Sequence, residues 1–187
     1  MDPSTGRAES TKLIRDARKR GVTTIIEFAP LDRGASLEDF TDTLSESDYV
    51  IVNDRVAETI TQTSLYSDSI FDPVLARKAA QQILDTGLRI AVIIHSGAGA
   101  VYVGADGSFY KTNGYFLPWE ERAGSAGVDH AFCAGFIDGL MGGKEELDCL
   151  RRGLAVSTMC RKDLTPSNSI ELMDTCMKFC ELSQQVH

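Results

Sequence analysis

The sequence predicts an α/β fold, a mostly parallel sheet with flanking helices plus an antiparallel hairpin. Three observations carry this. First, the runs TTIIEFA (23–29), DYVIVND (48–54) and LRIAVIIHS (88–96) are continuously apolar rather than alternating, as strands covered on both faces are. Second, segments of helical spacing separate them, which is the order of a parallel sheet with crossover helices. Third, AVYVGADGSFYKTN (100–113) alternates about Asp106-Gly107, a strong hairpin signal.

The elements follow in order. AESTKLIRDARKR (8–20) has helical spacing and ends at Gly21, the residue that tolerates a left-handed C-terminal cap. TTIIEFA is the first strand, and Pro30 to Gly34 form a loop. Ser36 precedes LEDFTDTL (37–44) as a helix cap. DYVIVND is the second strand and opens a helix over 54–64. Residues 65–72 read as a loop. Asp72-Pro73 then pairs a capping side chain with proline at the first helical position, and the helix runs to Gly87. LRIAVIIHS is the third strand, followed by the hairpin. Three helices finish the chain, at about 128–141, 144–160 and 168–182. Leu172, Met173, Met177 and Phe179 read as the apolar face of the last one. Trp119 stands outside any motif, with partial burial expected.

The 187 residues suit one domain, taken as 1–187. The net charge of −8 lacks the basic footprint that nucleic acid or an anionic membrane needs. No apolar run is long enough to span a bilayer, and the N-terminal stretch lacks the apolar segment of a signal peptide. Cys133, Cys149, Cys160, Cys176 and Cys180 form no CxxC pair. They read as buried or half-buried thiols of a cytoplasmic protein, and no metal ligands are assigned.

Ligands of parallel α/β sheets sit beyond the C-terminal ends of the strands. Those ends are Glu27 to Pro30, Asn53-Asp54, and His95 to Gly99. His95 itself reads as a satisfied histidine at the edge of the core. Near them in the scheme lies AGSAGVDHAFCAGF (123–136), a small-residue turn running into a helix, with an acid and a histidine at the junction. Backbone amides at such a junction can hold an anion, and a carboxylate can take a proton. Asp129 is equally favourable as a first-turn acid on the helix dipole alone, and Asn53 as a cap.

These pieces, in this order, resemble the C-terminal half of the ribokinase family of sugar and nucleoside kinases, the PfkB type. The resemblance covers about residues 8–175. It is carried by SDYVIVNDRVAE, IAVIIHSGAGAVYV and DHAFCAGFIDGLMGG. It implies ATP-dependent phosphorylation of a sugar or nucleoside hydroxyl, with magnesium. Asp129 or His130 would act as base. The amides of Ala126, Gly127 and Val128 would form the anion hole. Asn53 would lie near the metal and phosphates, and Gly97 and Gly99 along the nucleotide.

Three departures accompany it. The family's Gly-Ala-Gly-Asp turn reads Gly127-Val128-Asp129-His130. Its Asn-x-x-Glu reads Asn53-Asp54-Arg55-Val56. Its Thr-x-Gly-x-x-Gly reads His95-Ser96-Gly97-Ala98-Gly99-Ala100. No stretch resembles the family's first half. The expectations are therefore a nucleotide-type half-site, weak or inactive alone, or else a non-catalytic binding or assembly module. TTIIEFA is expected at an exposed sheet edge, to be covered by a second copy or a partner chain.

Overall fold

The computed structural model describes residues 3–28, 31–32 and 34–183. Ala29, Pro30 and Arg33, in the expected strand end and the expected loop over 30–34, lie outside the described residues. The chain divides into two compact units, residues 1–94 with 102–109, and residues 95–101 with 110–187.

The order of elements is α1 (Pro3–Lys19), β1 (Ile25–Glu27), a 3-10 turn (Leu37–Phe40), α2 (Thr41–Ser45), β2 (Tyr49–Asn53), α3 (Asp54–Thr61), β3 (Tyr66–Ser67), β4 (Ile70–Phe71), α4 (Pro73–Leu84), β5 (Ala91–Ser96), β6 (Gly99–Gly104), β7 (Phe109–Asn113), a 3-10 turn (Trp119–Glu121), α5 (Val128–Met141), α6 (Glu146–Cys160) and α7 (Met173–Leu182). A five-stranded sheet has the order β1-β2-β5-β6-β7, and β3 and β4 form a separate two-stranded ribbon. The class is the expected α/β one. β1 runs parallel to β2, with Ile26 opposite Val50, and it ends the strand order.

In the first unit, Val50, Ile51, Val52 and Ala91 to Ile94 are buried, which explains their continuous apolar pattern. Helix α4 covers core with Ala76, Ala79, Ala80 and Ile83, spaced to share one face. Its start is fixed by Asp72, whose carboxylate accepts from the amides of Val74 (2.8 Å) and Leu75 (3.4 Å). Asp48 ties the strand starts together. It is buried, and it accepts from Thr24 N (2.9 Å), Thr24 Oγ1 (3.1 Å) and Arg89 Nη1 (3.0 Å).

The expected loop over 65–72 contains the β3–β4 ribbon. Asp68 and Ser69 both adopt positive φ, +49° and +67°, the turn geometry that matches strand twist. The Tyr66 hydroxyl donates to Asp54, and the Leu65 amide donates to Glu58 Oε1 at 2.8 Å. Two carboxylates of α3 thus hold this ribbon.

In the second unit, α5 and α6 meet along glycines. A Cβ on Gly135 would lie 2.5 Å from the Arg152 carbonyl oxygen, and one on Gly153 would lie 2.9 Å from the Phe132 ring. The buried stripe of α5 is Val128, Ala131, Phe132, Gly135, Phe136 and Gly139. Helix α7 differs from expectation. Cys176 and Cys180 are its buried pair, while Leu172 is 82% exposed. Met173, Met177 and Phe179 are half-buried, and Lys162 Nζ sits 4.4 Å from the centroid of the Phe179 ring. Residues 176 and 180 stand one turn apart and define the facing seam, so the methionines flank it. All five cysteines are buried, as expected. Trp119 is 78% exposed, because its 3-10 turn is a single turn anchored by the Lys162–Glu121 ion pair (3.0 Å) rather than by the indole.

Candidate functional site

The start of α5 is built around Gly127. Its φ is +74°, a left-handed conformation that favours glycine. A Cβ there would also lie 2.7 Å from Pro166 Cβ. Two independent constraints therefore hold glycine at 127. Val128 turns inward and packs with Ala131, Val156 and Cys160. The Cys160 thiol donates to the Ala126 carbonyl at 3.4 Å, which pins the turn to α6. With Val128 inward, the next two positions are rotated about 100° and 200° around the helix. Asp129 is half-buried and His130 exposed. No side-chain hydrogen bond caps this end. Asp129 in the first turn favours the helix dipole, and its charge opposes an anion there.

The β5–β6 turn is also in the second unit. Gly97 is exposed and Gly99 buried. The Ala98 amide donates to Ser96 Oγ at 3.1 Å, and the Gly114 amide to the Ala98 carbonyl at 2.7 Å. A Cβ on Gly99 would meet the Thr112 carbonyl oxygen at 2.6 Å, so β6 can lie this close to the strand beside it only with glycine there. A Cβ on Gly97 would lie 3.3 Å from Arg161 Nη2. Beneath this turn is a cavity of about 220 Å³ lined by Gly97, Arg122, Ser157, Thr158 and Arg161, among others. His95 is buried and stacks on Phe132, with centroids 4.0 Å apart and planes at 10°. The histidine lies in the core, against the first aromatic of AFCAGF.

Asn53 belongs to the first unit. Its Oδ1 accepts from the Val56 amide at 2.8 Å, capping α3. Magnesium needs hard oxygen donors in octahedral array. The position where the resemblance calls for glutamate holds Val56, buried at 5% exposure. Asp54 and Glu58 are the nearest carboxylates in sequence, and both hold the β3–β4 ribbon. Residues 53–58 therefore lack the carboxylate that the resemblance places at 56, and Asp54 and Glu58 each already accept a hydrogen bond from the ribbon segment. Among the described residues, no group of three or more His, Cys, Asp or Glu side chains could hold a metal ion.

The structure thus brings Gly97, Gly99, Ala126, Gly127, Val128, Asp129 and His130 into one compact unit, and Asn53 into the other. Sequence reasoning missed Arg122 and Arg161, which carry no motif. Arg161 is only the residue that ends α6, and the fold brings its guanidinium to the Gly97 turn.

No helix among the described residues is long and apolar enough to cross a membrane. No curated protein matches the chain. Among solved structures, the ribokinase of Arabidopsis thaliana, complexed with ribose and ATP, is similar at a TM-score of 0.77 and 16% identity, over 95% of this chain and 53% of that one. Phosphofructokinase-2 of Escherichia coli, in complex with substrates and products, gives 0.70 and 17%, over 94% and 53%. A pyrophosphate-dependent kinase in the ribokinase family, complexed with a pyrophosphate analog and myo-inositol, gives 0.64 and 19%, over 83% and 54%. The chain therefore spans about half the length of these solved proteins. A sequence profile described as pfkB family carbohydrate kinase matches residues 3–172. The chain belongs to the pfkB family of carbohydrate kinases.

Proposed function

We propose that this chain is the nucleotide-side half of a pfkB-type carbohydrate kinase, acting in the cytoplasm as one domain, and that it turns over weakly or not at all alone. The observation that carries this reading is the start of α5. Gly127 in the left-handed region opens a helix without a side-chain cap, with Asp129 and His130 in its first turn. Asp129 or His130 would take the proton of a sugar or nucleoside hydroxyl. The amides of Ala126, Gly127 and Val128 would face the transferring phosphoryl group. Gly97 and Gly99 would lie along the nucleotide, and Asn53 near its phosphates. ATP is the donor of first choice. One structural neighbour is pyrophosphate-dependent, so pyrophosphate is the second.

A non-catalytic binding or assembly role is the second reading. It is favoured by buried Val56 and by the engagement of Asp54 and Glu58 with the ribbon. In either case the three-residue strand β1 ends the sheet, and a second copy or a partner chain would cover that edge. Light scattering that finds a stable monomer, with no dye-binding apolar surface, would count against the covered edge.

Calorimetry with ATP and magnesium tests the nucleotide half-site. Binding at millimolar strength or better supports it, and silence at high concentration removes it. If phosphotransfer is detected, Asp129→Asn and His130→Ala assign the base. The one that leaves turnover unchanged is not the base.

A further inference from the structure

We infer that a second cavity of the second unit, between α6 and α7, binds a small zwitterion of the amino-acid class. This goes beyond the kinase reading and does not depend on it. None of the residues proposed above for phosphotransfer lines that cavity.

The cavity measures about 500 Å³ and is lined by Tyr115, Lys144, Arg151, Met177, Cys180 and Glu181, among others. That volume lies within the ~300–1,000 Å³ of small-molecule sites. Pairing decides which of its charges remain. Arg151 pairs with Asp148 (3.2 Å), and Arg152 with Asp138 (2.7 Å). Lys144 and Glu181 are left, one charge of each sign, and neither has an ion-pair partner among the described residues. A ligand with one charge would be attracted by one of them and repelled by the other. A ligand with an ammonium and a carboxylate answers both.

Tyr115 supplies the buried polar group. It is 9% exposed, and its hydroxyl has no hydrogen-bond partner among the described residues. A buried tyrosine hydroxyl usually has one. Tyr115 lines both this cavity and the one beneath the Gly97 turn. The groups that act electrostatically on its hydroxyl are Cys180, Arg151, Glu181 and Asp148. All four line the larger cavity and none lines the smaller, so the hydroxyl faces the larger one. Burial is the main cause that pushes it up to about 12. At neutral pH it therefore keeps its hydrogen to donate and lone pairs to accept with.

The two signs stand on different elements. Lys144 belongs to the turn before α6, while Glu181 and Ser183 belong to the end of α7. Ser183 donates its single hydroxyl hydrogen to the Phe179 carbonyl at 2.9 Å. Towards the cavity it can only accept, as an ammonium group requires. Met177 and Cys180 add apolar lining. Methionine is unbranched and adapts to irregular shapes, which suits a ligand with an apolar side chain.

The test is calorimetry of the full chain at pH 7 with L-leucine and L-phenylalanine. Two further probes each lack one charge: 3-methylbutylamine has no carboxylate, and 4-methylpentanoate has no ammonium. The expected result is saturable binding of an amino acid, with each one-charge probe weaker by about tenfold or more, the loss expected for a hydrogen bond to a charged partner. Lys144→Gln should weaken amino-acid binding by a similar factor and leave 3-methylbutylamine unaffected. Glu181→Gln should do the same and leave 4-methylpentanoate unaffected. Lys78→Gln, exposed on α4, should change nothing. Lys144 and Glu181 are both exposed, and circular dichroism melts establish that their variants are folded. Tyr115→Phe should weaken binding while the Tm of the ligand-free chain holds or rises, because no internal hydrogen bond is lost. No saturable binding of either amino acid, equal binding of the one-charge probes, or wild-type affinity in Lys144→Gln or Glu181→Gln overturns the inference. So does a lowered Tm in ligand-free Tyr115→Phe, which would mean that the hydroxyl serves the fold. No nucleotide enters this test, so its failure leaves the nucleotide half-site standing, and the ATP titration can fail without touching this cavity.

Discussion

Gly135→Ala tests the helix pairing on which AFCAGF depends. In an isolated helix the change would stabilise, since alanine is favoured over glycine by up to ~1 kcal/mol. Here the added methyl would lie 2.5 Å from the Arg152 carbonyl oxygen and 2.9 Å from both its carbonyl carbon and Val156 Cγ2. Ordinary carbon–oxygen contacts are about 3.3–3.6 Å, so α5 and α6 must part by nearly an ångström. Two of the three obstacles are backbone, which cannot rotate away. Overpacking of this kind costs ~1–3 kcal/mol, and with helix backbone as the obstacle the upper end applies. Subtracting the propensity gain leaves a net loss of about 2 kcal/mol. For a chain of this size that lowers Tm by about 4–8 °C. Differential scanning calorimetry of the purified variant measures it. An unchanged or raised Tm would refute the close approach of the two helices.

Two further predictions concern stability. Asp48→Ala removes the acceptor shared by Thr24 and Arg89, and the orphaned buried amide of Thr24 alone costs ~1–3 kcal/mol. Urea denaturation should show a lower midpoint with an unchanged slope, and an unmoved midpoint would mean that the network does not hold the strand starts. The buried thiols give an alkaline limit. Burial pushes Cys149 up to about 11 and Cys180 up to about 12, and raises Cys160 and Cys176 as well. An unfolded thiol ionises near ~8.5, so between these values the unfolded chain has lost protons that the folded chain keeps. Stability should be full below about pH 8.5 and fall as pH rises towards the folded values. A Tm profile from pH 7 to 11 checks this, and Cys180→Ser should flatten its alkaline slope.

Much of the fold was legible because its signals are local. Helix α5 spans Val128–Met141, the bounds that Gly127 and Gly142-Gly143 mark in the sequence. Strands β2 and β5 were visible as continuous apolar runs, whereas β1, which reads the same way, is three residues long and only half-buried at the end of the strand order; Asp106-Gly107 marked the hairpin turn. The β3–β4 ribbon was not, because each strand has two residues and its turn is Asp68-Ser69, without the usual glycine. The buried face of α7 was misread because hydrophobicity favours methionine over cysteine, while the contact geometry selects 176 and 180. The arginines of the Gly97 cavity were invisible for another reason. Nothing local distinguishes Arg122 or Arg161 from a solvated surface residue; only the tertiary fold brings Arg161 to the turn. Gly99 and Gly127 were legible as glycines, but the carbonyl of Thr112 and the ring of Pro166 that exclude a side chain there were not.

The ribbon clamped by Asp54 and Glu58 has a consequence for how this site could change. Writing glutamate at 56 would place a charge at a position that is 5% exposed, and it would recruit neither neighbouring carboxylate. Freeing Asp54 and Glu58 would first require undoing the contacts with Tyr66 and Leu65, which destabilises residues 64–71 before any metal repays it. Any change at Asp54 or Glu58 is therefore felt first as a change in the stability of residues 64–71.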